Sequence, residues 1–167
     1  MAAEGGLTSE ACDRILETFK IDSLKELQRR GLETLIKGQD VFIVQPTGSG
    51  KSLIFQSAPI VFDIMKPLQK GKSIAIVISP LVFLKEDQVG FLKSIGIMGE
   101  FVGEFVGDDL KDEGAKKMVE QGECQIVYGS PEEFLSSKRW WAMLSGEIYK
   151  ERLHLVAIDE AHCICHW

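Results

Sequence analysis

The stretch Asp40–Ser52, DVFIVQPTGSGKS, constrains this chain more than any other. A short apolar run, Val41 to Val44, stops at Pro46. Gly48, Gly50, Lys51 and Ser52 follow, and then an apolar pattern at helical spacing. That order predicts a strand, a glycine-rich turn and a helix. Such a turn wraps phosphates, because N–H groups of the loop and of the helix N-terminus converge on an anion and the helix dipole favours negative charge there. Glycine lets backbone approach where a Cβ would clash. In that arrangement Thr47, Gly48, Ser49 and Gly50 form the cradle, Lys51 reaches the β- and γ-phosphates and the Ser52 hydroxyl ligates Mg²⁺. The strict motif, G-x-x-x-x-G-K-[ST], is not met, because Gln45 stands at its first glycine position. The alternative reading is a polar turn joining a strand to a helix.

The rest of the chain keeps the same alternation. Ala11, Ile15, Leu16 and Phe19 predict a helix over Leu7–Phe19. Ser23-x-x-Glu26 has the form of a capping box. It predicts a second helix with Leu24, Leu27, Leu32, Leu35 and Ile36 inward, ended by Gly38. A third helix runs from Ser52 to about Met65 despite Pro59. Apolar runs at Ser73–Ser79, Cys124–Tyr128 and Leu153–Ile158 predict buried strands. Helices are expected over Leu84–Ile95 and Leu110–Gln121, and the direct repeat Gly-Glu-Phe-Val at 99–106 offers a short strand in one of its copies. Ser130-Pro131-Glu132-Glu133 reads as a helix start, with Ser as N-cap and Pro at the first helical position. That helix carries Phe134, Leu135, Trp140 and Trp141, and one of the two tryptophans is expected in the core. Strands alternating with helices give an α/β fold with a mostly parallel sheet covered on both faces. Sites then fall at the C-terminal ends of the strands.

Length and charge narrow the function. At 167 residues and 45% apolar, the chain is one domain with a sizeable core. A net charge of -6 excludes a globally basic nucleic-acid binder, so any such site is local, made from loops and helix N-termini. Four irregularly placed cysteines do not form a disulfide framework and are expected to be reduced, hence intracellular. The N-terminus lacks the pattern of a signal peptide, and no run of about 18 apolar residues exists to span a membrane.

Asp159 and Glu160 form the second candidate site, directly after an apolar strand. Acids there are costly without partners, and a Mg²⁺·nucleotide supplies one. The first acid would hold Mg²⁺ and the second would polarise a water for in-line displacement at a γ-phosphate. Alone, such a pair is more often a solvated turn; a phosphate loop on an earlier strand reverses that. His162-Cys163-Ile164-Cys165-His166 has metal-ligand types, but adjacent ligands do not all face one tetrahedral ion. His154, inside a strand, reads as a satisfied core residue. Trp140-Trp141 offers a base-stacking surface as the minor reading.

Asp159-Glu160-Ala161-His162 together with PTGSGKS resembles the DEAH-box branch of superfamily-two helicases, and finer features resemble the RecQ family of DNA helicases. Phe19, followed nine residues later by Gln28, resembles the family's motif zero, whose aromatic stacks on adenine and whose Gln reads the adenine edge. Lys25 stands where the family usually has Arg. Ser79-Pro80-Leu81 with Asp87-Gln88-Val89 resembles motif Ia, which tracks the DNA backbone, and Tyr128 to Glu132, containing Ser130 and Pro131, resembles motif Ib. Cys163 to Trp167, directly after His162, resembles the start of the aromatic-rich loop that senses single-stranded DNA and couples it to hydrolysis. Cys165 replaces a usual Ser, and His166 a usual Gln or Glu.

The resemblance implies a RecA-like phosphate-loop domain over 19–167, preceded by a helical extension over 1–18. It implies an ATP-dependent 3′–5′ DNA helicase using ATP and Mg²⁺. Lys51 and Glu160 would be catalytic, Phe19, Lys25, Gln28 and 47–52 would bind nucleotide, and Ser52 and Asp159 would hold the metal. Ser79, Pro80, Leu81, Gln88, Ser130, Pro131, His162 and Trp167 would bind or couple DNA, single-stranded or at duplex junctions. The location would be intracellular, and nuclear in a eukaryote. The chain reads as incomplete after the DEAH strand, without the motif III strand or the second RecA-like lobe with its arginine finger. It is therefore expected to be marginally stable and to bind ATP·Mg²⁺ weakly, without appreciable hydrolysis or unwinding. The alternative function is a non-catalytic nucleotide-binding or regulatory fragment.

Overall fold

The computed structural model describes residues 6–68, 71–80, 82–102 and 113–162. The chain forms two compact units, Met1–Ser73 and Ile74–Trp167. The first contains helices α1 (Ser9–Phe19), α2 (Glu26–Ile36) and α3 (Ser52–Met65). Thr8 opens α1, its hydroxyl accepting from the Ala11 N–H at 3.3 Å. Ala11, Ile15 and Phe19 form the buried stripe of α1, at the four-residue spacing of one helix face. Helix α2 begins differently from expectation. The Ser23–Glu26 box does not form. Lys25 is the N-cap instead, and Gln28 Oε1 accepts from the Lys25 N–H at 2.8 Å. Helix α2 packs on α3 at Gly31, where an added Cβ would lie 3.1 Å from Ile54 Cδ1. Helix α3 runs unbroken through Pro59 and is buried along most of its length.

The strand expected over Val41–Val44 is absent. These residues have no ladder partner among the described residues, and Phe42 and Val44 are 83% and 77% exposed. A strand is completed only by another chain segment's N–H and C=O groups, and nothing in an apolar run supplies them.

The second unit is built on a parallel sheet with strand order β2-β3-β1-β4. Its elements in chain order are β1 (Ile74–Ile78), α4 (Val82–Ser94), β2 (Gly99–Val102), α5 (Glu113–Glu120) and β3 (Ile126–Gly129). Helices α6 (Pro131–Ser136), α7 (Lys138–Leu144) and α8 (Glu147–Arg152) follow, and then β4 (Leu153–Ile158). The first copy of the Gly-Glu-Phe-Val repeat is β2; the second copy and residues 110–112 lie outside the described residues. Strand β1 is central and almost wholly buried, as its β-branched sequence predicts for a parallel sheet. The core joins Ile74, Ile76 and Val127 of the sheet to Phe134, Trp140 and Tyr149 of the helices.

The single helix expected after Ser130 is three short ones. Ser137 breaks the first, and its hydroxyl caps α7. Trp140 is the core tryptophan, 5% exposed, and Trp141 is 52% exposed. Helix α8 was not anticipated. It is pinned by the Tyr149 hydroxyl, which donates to Val119 O at 2.7 Å, and by Arg152 Nη2, which donates to Gly122 O at 2.6 Å. Burial pushes the Tyr149 phenol well above its usual range. His154 is half-buried with Nδ1 2.9 Å from Arg152 O, a satisfied strand residue as expected. Coverage of both sheet faces is incomplete at β4, where Val156 and Ile158 are 53% and 45% exposed.

Arg139 ties α7 to α5. Its guanidinium makes a two-point contact with Glu120, at 2.6 and 3.0 Å, and reaches Glu113 at 3.1 Å. Hydrogen bonding from Arg139 holds both carboxyls below the usual 4.5, against a smaller opposing effect of desolvation. A depressed carboxylate stabilises the fold above its unfolded pKa, and that contribution is lost as pH falls through the folded value. Both groups are partly exposed, so solvent screens the effect. The urea midpoint of the parent should exceed that of Arg139→Met at pH 7, and the difference should shrink as pH falls below 4.5. A difference that holds constant across that range would remove the carboxylates from the account.

The two tryptophans make a second test. Trp140→Ala should cost about 3–5 kcal/mol in urea unfolding, as for a large core truncation. Trp141→Ala should cost under about 1 kcal/mol, as for most surface changes.

Candidate nucleotide and nucleic-acid sites

The glycine-rich turn is the best-defined feature of the first unit. Gly48 and Gly50 sit at φ +81° and +92°, a region that L side chains rarely adopt. Ser49 N–H donates to Pro46 O at 3.3 Å, closing the turn, and α3 begins at Ser52. Thr47 and Gly48 are exposed, whereas Lys51 and Ser52 are half-buried. The Ser49 hydroxyl is buried with no hydrogen-bond partner among the described residues.

Two of the three motif-zero residues meet this turn. Lys25 Nζ donates to Ser49 O at 3.0 Å, and Gln28 Nε2 donates to Gly50 O at 3.1 Å. Gln28 is 5% exposed and its amide bridges the first turn of α2 to the loop. Phe19 is 7% exposed, buried on the inner face of α1. Lys51 Nζ donates to Gln45 O at 2.8 Å and to Pro46 O at 3.0 Å. These carbonyl contacts were not foreseen, because a backbone acceptor carries no side-chain signature.

In the second unit the expected residues gather at the C-terminal edge of the sheet. Asp159 N–H donates to Ile78 O at 2.8 Å, and Ser79 N–H donates to Gly129 O at 3.0 Å. The ends of β4, β1 and β3 are thus stitched side by side, bringing Asp159, Ser79 and Ser130 to one edge. Ser130 caps α6 as its sequence predicts. Its hydroxyl accepts from Glu133 N–H at 3.3 Å, its N–H donates to Glu133 Oε2 at 2.6 Å, and Pro131 occupies the first helical position. Pro80 is half-buried, and Ser79 is buried. Gln88 lies on α4, with its Oε1 buried and unpartnered among the described residues. Leu81 and Trp167 lie outside the described residues, as do the cysteines of the metal-like run.

Glu160 has φ +54°, a strained conformation for a residue with a Cβ. The Asp159 carboxylate accepts from its N–H at 3.0 Å, and His162 Nδ1 lies 3.2 Å from its Oε2. No residue-type pattern announces this left-handed turn.

The glycine-rich turn before α3 and the acidic pair at a parallel strand's C-terminal end are features of a phosphate-binding α/β domain. Comparison with known proteins agrees: the family model for DEAD/DEAH box helicases matches residues 25–167, and the chain belongs to that family. Its relatives are of the RecQ type. It is 29% identical over 156 residues to the ATP-dependent DNA helicase Q1 of Pongo abelii, covering 93% of this chain and 23% of the relative. Identity is 32% over 166 residues to a putative ATP-dependent DNA helicase Q1 of Caenorhabditis briggsae, covering 95% and 25%. It is 30% over 149 residues to the ATP-dependent DNA helicase RecQ of Haemophilus influenzae, covering 89% and 22%. The chain therefore spans about a quarter of the length of these relatives. The family and the RecA-like α/β fold expected from the motifs are both borne out. Among the described residues, no helix is long and apolar enough to cross a membrane.

Gly50 offers a local test of the loop. An added Cβ would meet Gln28 Nε2 at 2.6 Å, at a φ already unfavourable for alanine. Gly50→Ala should displace the Gln28 amide and lower stability by about 1–3 kcal/mol in urea unfolding. An unchanged midpoint would mean that the loop takes another conformation in solution.

Proposed function

We propose that this chain is the ATP-binding lobe of a RecQ-type DNA helicase, and that its loop over 47–52 receives the triphosphate of ATP·Mg²⁺. The observation that carries this reading is the turn itself: two glycines at positive φ lead into α3 with Lys51 at its start. The residues fit such a ligand. A Cβ at Gly50 would meet the Gln28 amide at 2.6 Å, and the buried Ser49 hydroxyl lacks a protein partner among the described residues. The dipole of α3 favours an anion at its N-terminus.

In this proposal Lys51 would hold the β- and γ-phosphate oxygens, and Ser52 and Asp159 would each offer an oxygen to Mg²⁺. Mg²⁺ supplies charge neutralisation at the phosphates when bound. Glu160 orients the attacking water and accepts its proton, with its side chain held in place by the turn after β4. Gln28 and Lys25 face the nucleotide from α2, and Phe19 is the stacking residue, which would have to leave its buried position. Ser79, Pro80, Leu81, Gln88, Ser130 and Pro131 contact the DNA backbone, and His162 and Trp167 couple that contact to hydrolysis. The helicase domain would run over 19–167 after a helical extension over 1–18. Translocation 3′ to 5′, preference for single strands and junctions, a nuclear location in a eukaryote, and roles in DNA repair and recombination belong to the same proposal.

Titration of the purified chain with a fluorescent ATP analogue and Mg²⁺ tests it. Lys51→Ala should weaken binding by about tenfold or more, the scale of a lost charged hydrogen bond. GTP should compete at least about tenfold less well than ATP, since a site that hydrogen-bonds the adenine edge rejects a base lacking the matching groups. Equal competition by GTP would sink the adenine reading and leave only a phosphate site.

A further inference from the structure

Two tryptophans stand side by side in the sequence, and the fold turns them opposite ways. Trp140 is 5% exposed, with the Arg139 guanidinium 5.5 Å from its ring centroid. Trp141 is 52% exposed. A single apolar residue at the surface is ordinary, but Trp141 differs in two respects. Its Nε1 donates to Leu135 O at 3.1 Å, which fixes the ring and satisfies a carbonyl in the last turn of α6. That bond directs the one polar group of the indole at the protein. What remains outward is apolar ring beside Leu135, itself 68% exposed.

The charges around the ring favour one kind of partner. Lys138 and Trp141, three residues apart on α7, share a helix face. Lys138 is exposed and has no carboxylate partner among the described residues. The acids of α5, Glu113 and Glu120, are already held by Arg139. On α6, Glu133 turns back to the Ser130 N–H and Glu132 stays exposed, so an anion would pass on the Lys138 side. A held aromatic ring with an unpaired cation beside it matches one nucleotide unit, the base to the ring and the phosphate to the cation. An apolar protein surface would instead desolvate Lys138 without a counter-charge. Helix α6 ties this patch to the sheet edge, because it starts at Ser130. Its six residues span about 9 Å, roughly three nucleotide steps of a stacked strand.

We propose that Trp141, with Lys138, is a stacking site for a base of single-stranded nucleic acid where the strand leaves the C-terminal edge of the sheet. This rests on the DNA reading given above and adds to it a positioning residue outside the motifs. The ring is fixed before the strand arrives, so little side-chain freedom is lost on binding. Every base has a π-face, so the site holds a strand without reading its sequence.

Fluorescence anisotropy of the full chain with a labelled oligothymidylate tests the site. Trp141→Ala should bind about fivefold or more weaker than the parent, the low end for a lost base–aromatic stack. Trp141→Phe keeps a ring and should stay within about threefold of the parent. Trp141→Leu keeps apolar bulk without a π-face and should be as weak as Trp141→Ala. Lys138→Gln should lower the slope of log K against log salt by about 0.7, the loss of one phosphate contact on a single strand. The urea midpoint of each variant checks its fold, and Trp141→Leu carries the comparison should Trp141→Ala fail to fold.

Parent-like binding by Trp141→Ala or Trp141→Leu would overturn the stacking site and leave the DNA reading standing. In the case of Trp141→Leu alone it would make the patch an apolar surface suited to a protein. Failure of the parent to bind the oligothymidylate would reject the DNA reading itself, and the stacking site with it.

Discussion

Strand β1 is the constraint on which the second unit depends. It pairs with β3 on one side and β4 on the other, and its residues up to Val77 are buried. A buried strand has no water to satisfy its N–H and C=O groups, so both neighbours are obligatory. Register follows from this. Ile78 stands beside both Gly129 and Ile158, so the chain segments that leave the three strands do so at one level. The sites gather there because the ladder ends there, and a parallel sheet ends all its strands on the same side.

The first unit is organised by a polar contact instead. Gln28 is one of the few buried polar side chains among the described residues, and its amide satisfies a donor on α2 and an acceptor in the loop at once. Removing one partner from such a pair leaves the other buried and unsatisfied, which costs more than the bond itself contributes. This explains why α2 starts at Glu26 rather than at the Ser23 that its sequence favours. A local cap competes with a long-range hydrogen bond, and the residue that does both fixes the helix start.

How much was legible in the sequence depends on whether a feature is local. The cap at Ser130 and the extent of α3 come from near-neighbour chemistry, and the structure reproduces them. Val41–Val44 and Leu153–Ile158 are similar apolar runs, yet only the second is a strand. What separates them is β1 lying alongside, a fact about distant residues. The break at Ser137 and the added helix α8 escaped for a related reason. Both are set by where Trp140 and Tyr149 must be buried, which the spacing of apolar residues within one helix does not reveal. The candidate site was legible in its residue types, and its carbonyl contacts and the left-handed turn at Glu160 were not, because backbone geometry leaves no mark in the choice of side chain there.

Lys25 shows how the two kinds of information combine. As a residue type it is a departure from the arginine usual in the related helicases, with no evident consequence. Placed at the N-cap of α2 it becomes a cation 3.0 Å from a loop carbonyl. A lysine ammonium is a compact, strongly hydrated charge on a flexible stem, whereas a guanidinium is a planar fork that holds its partners in fixed geometry. A lysine therefore gives up a carbonyl for water more readily than an arginine does.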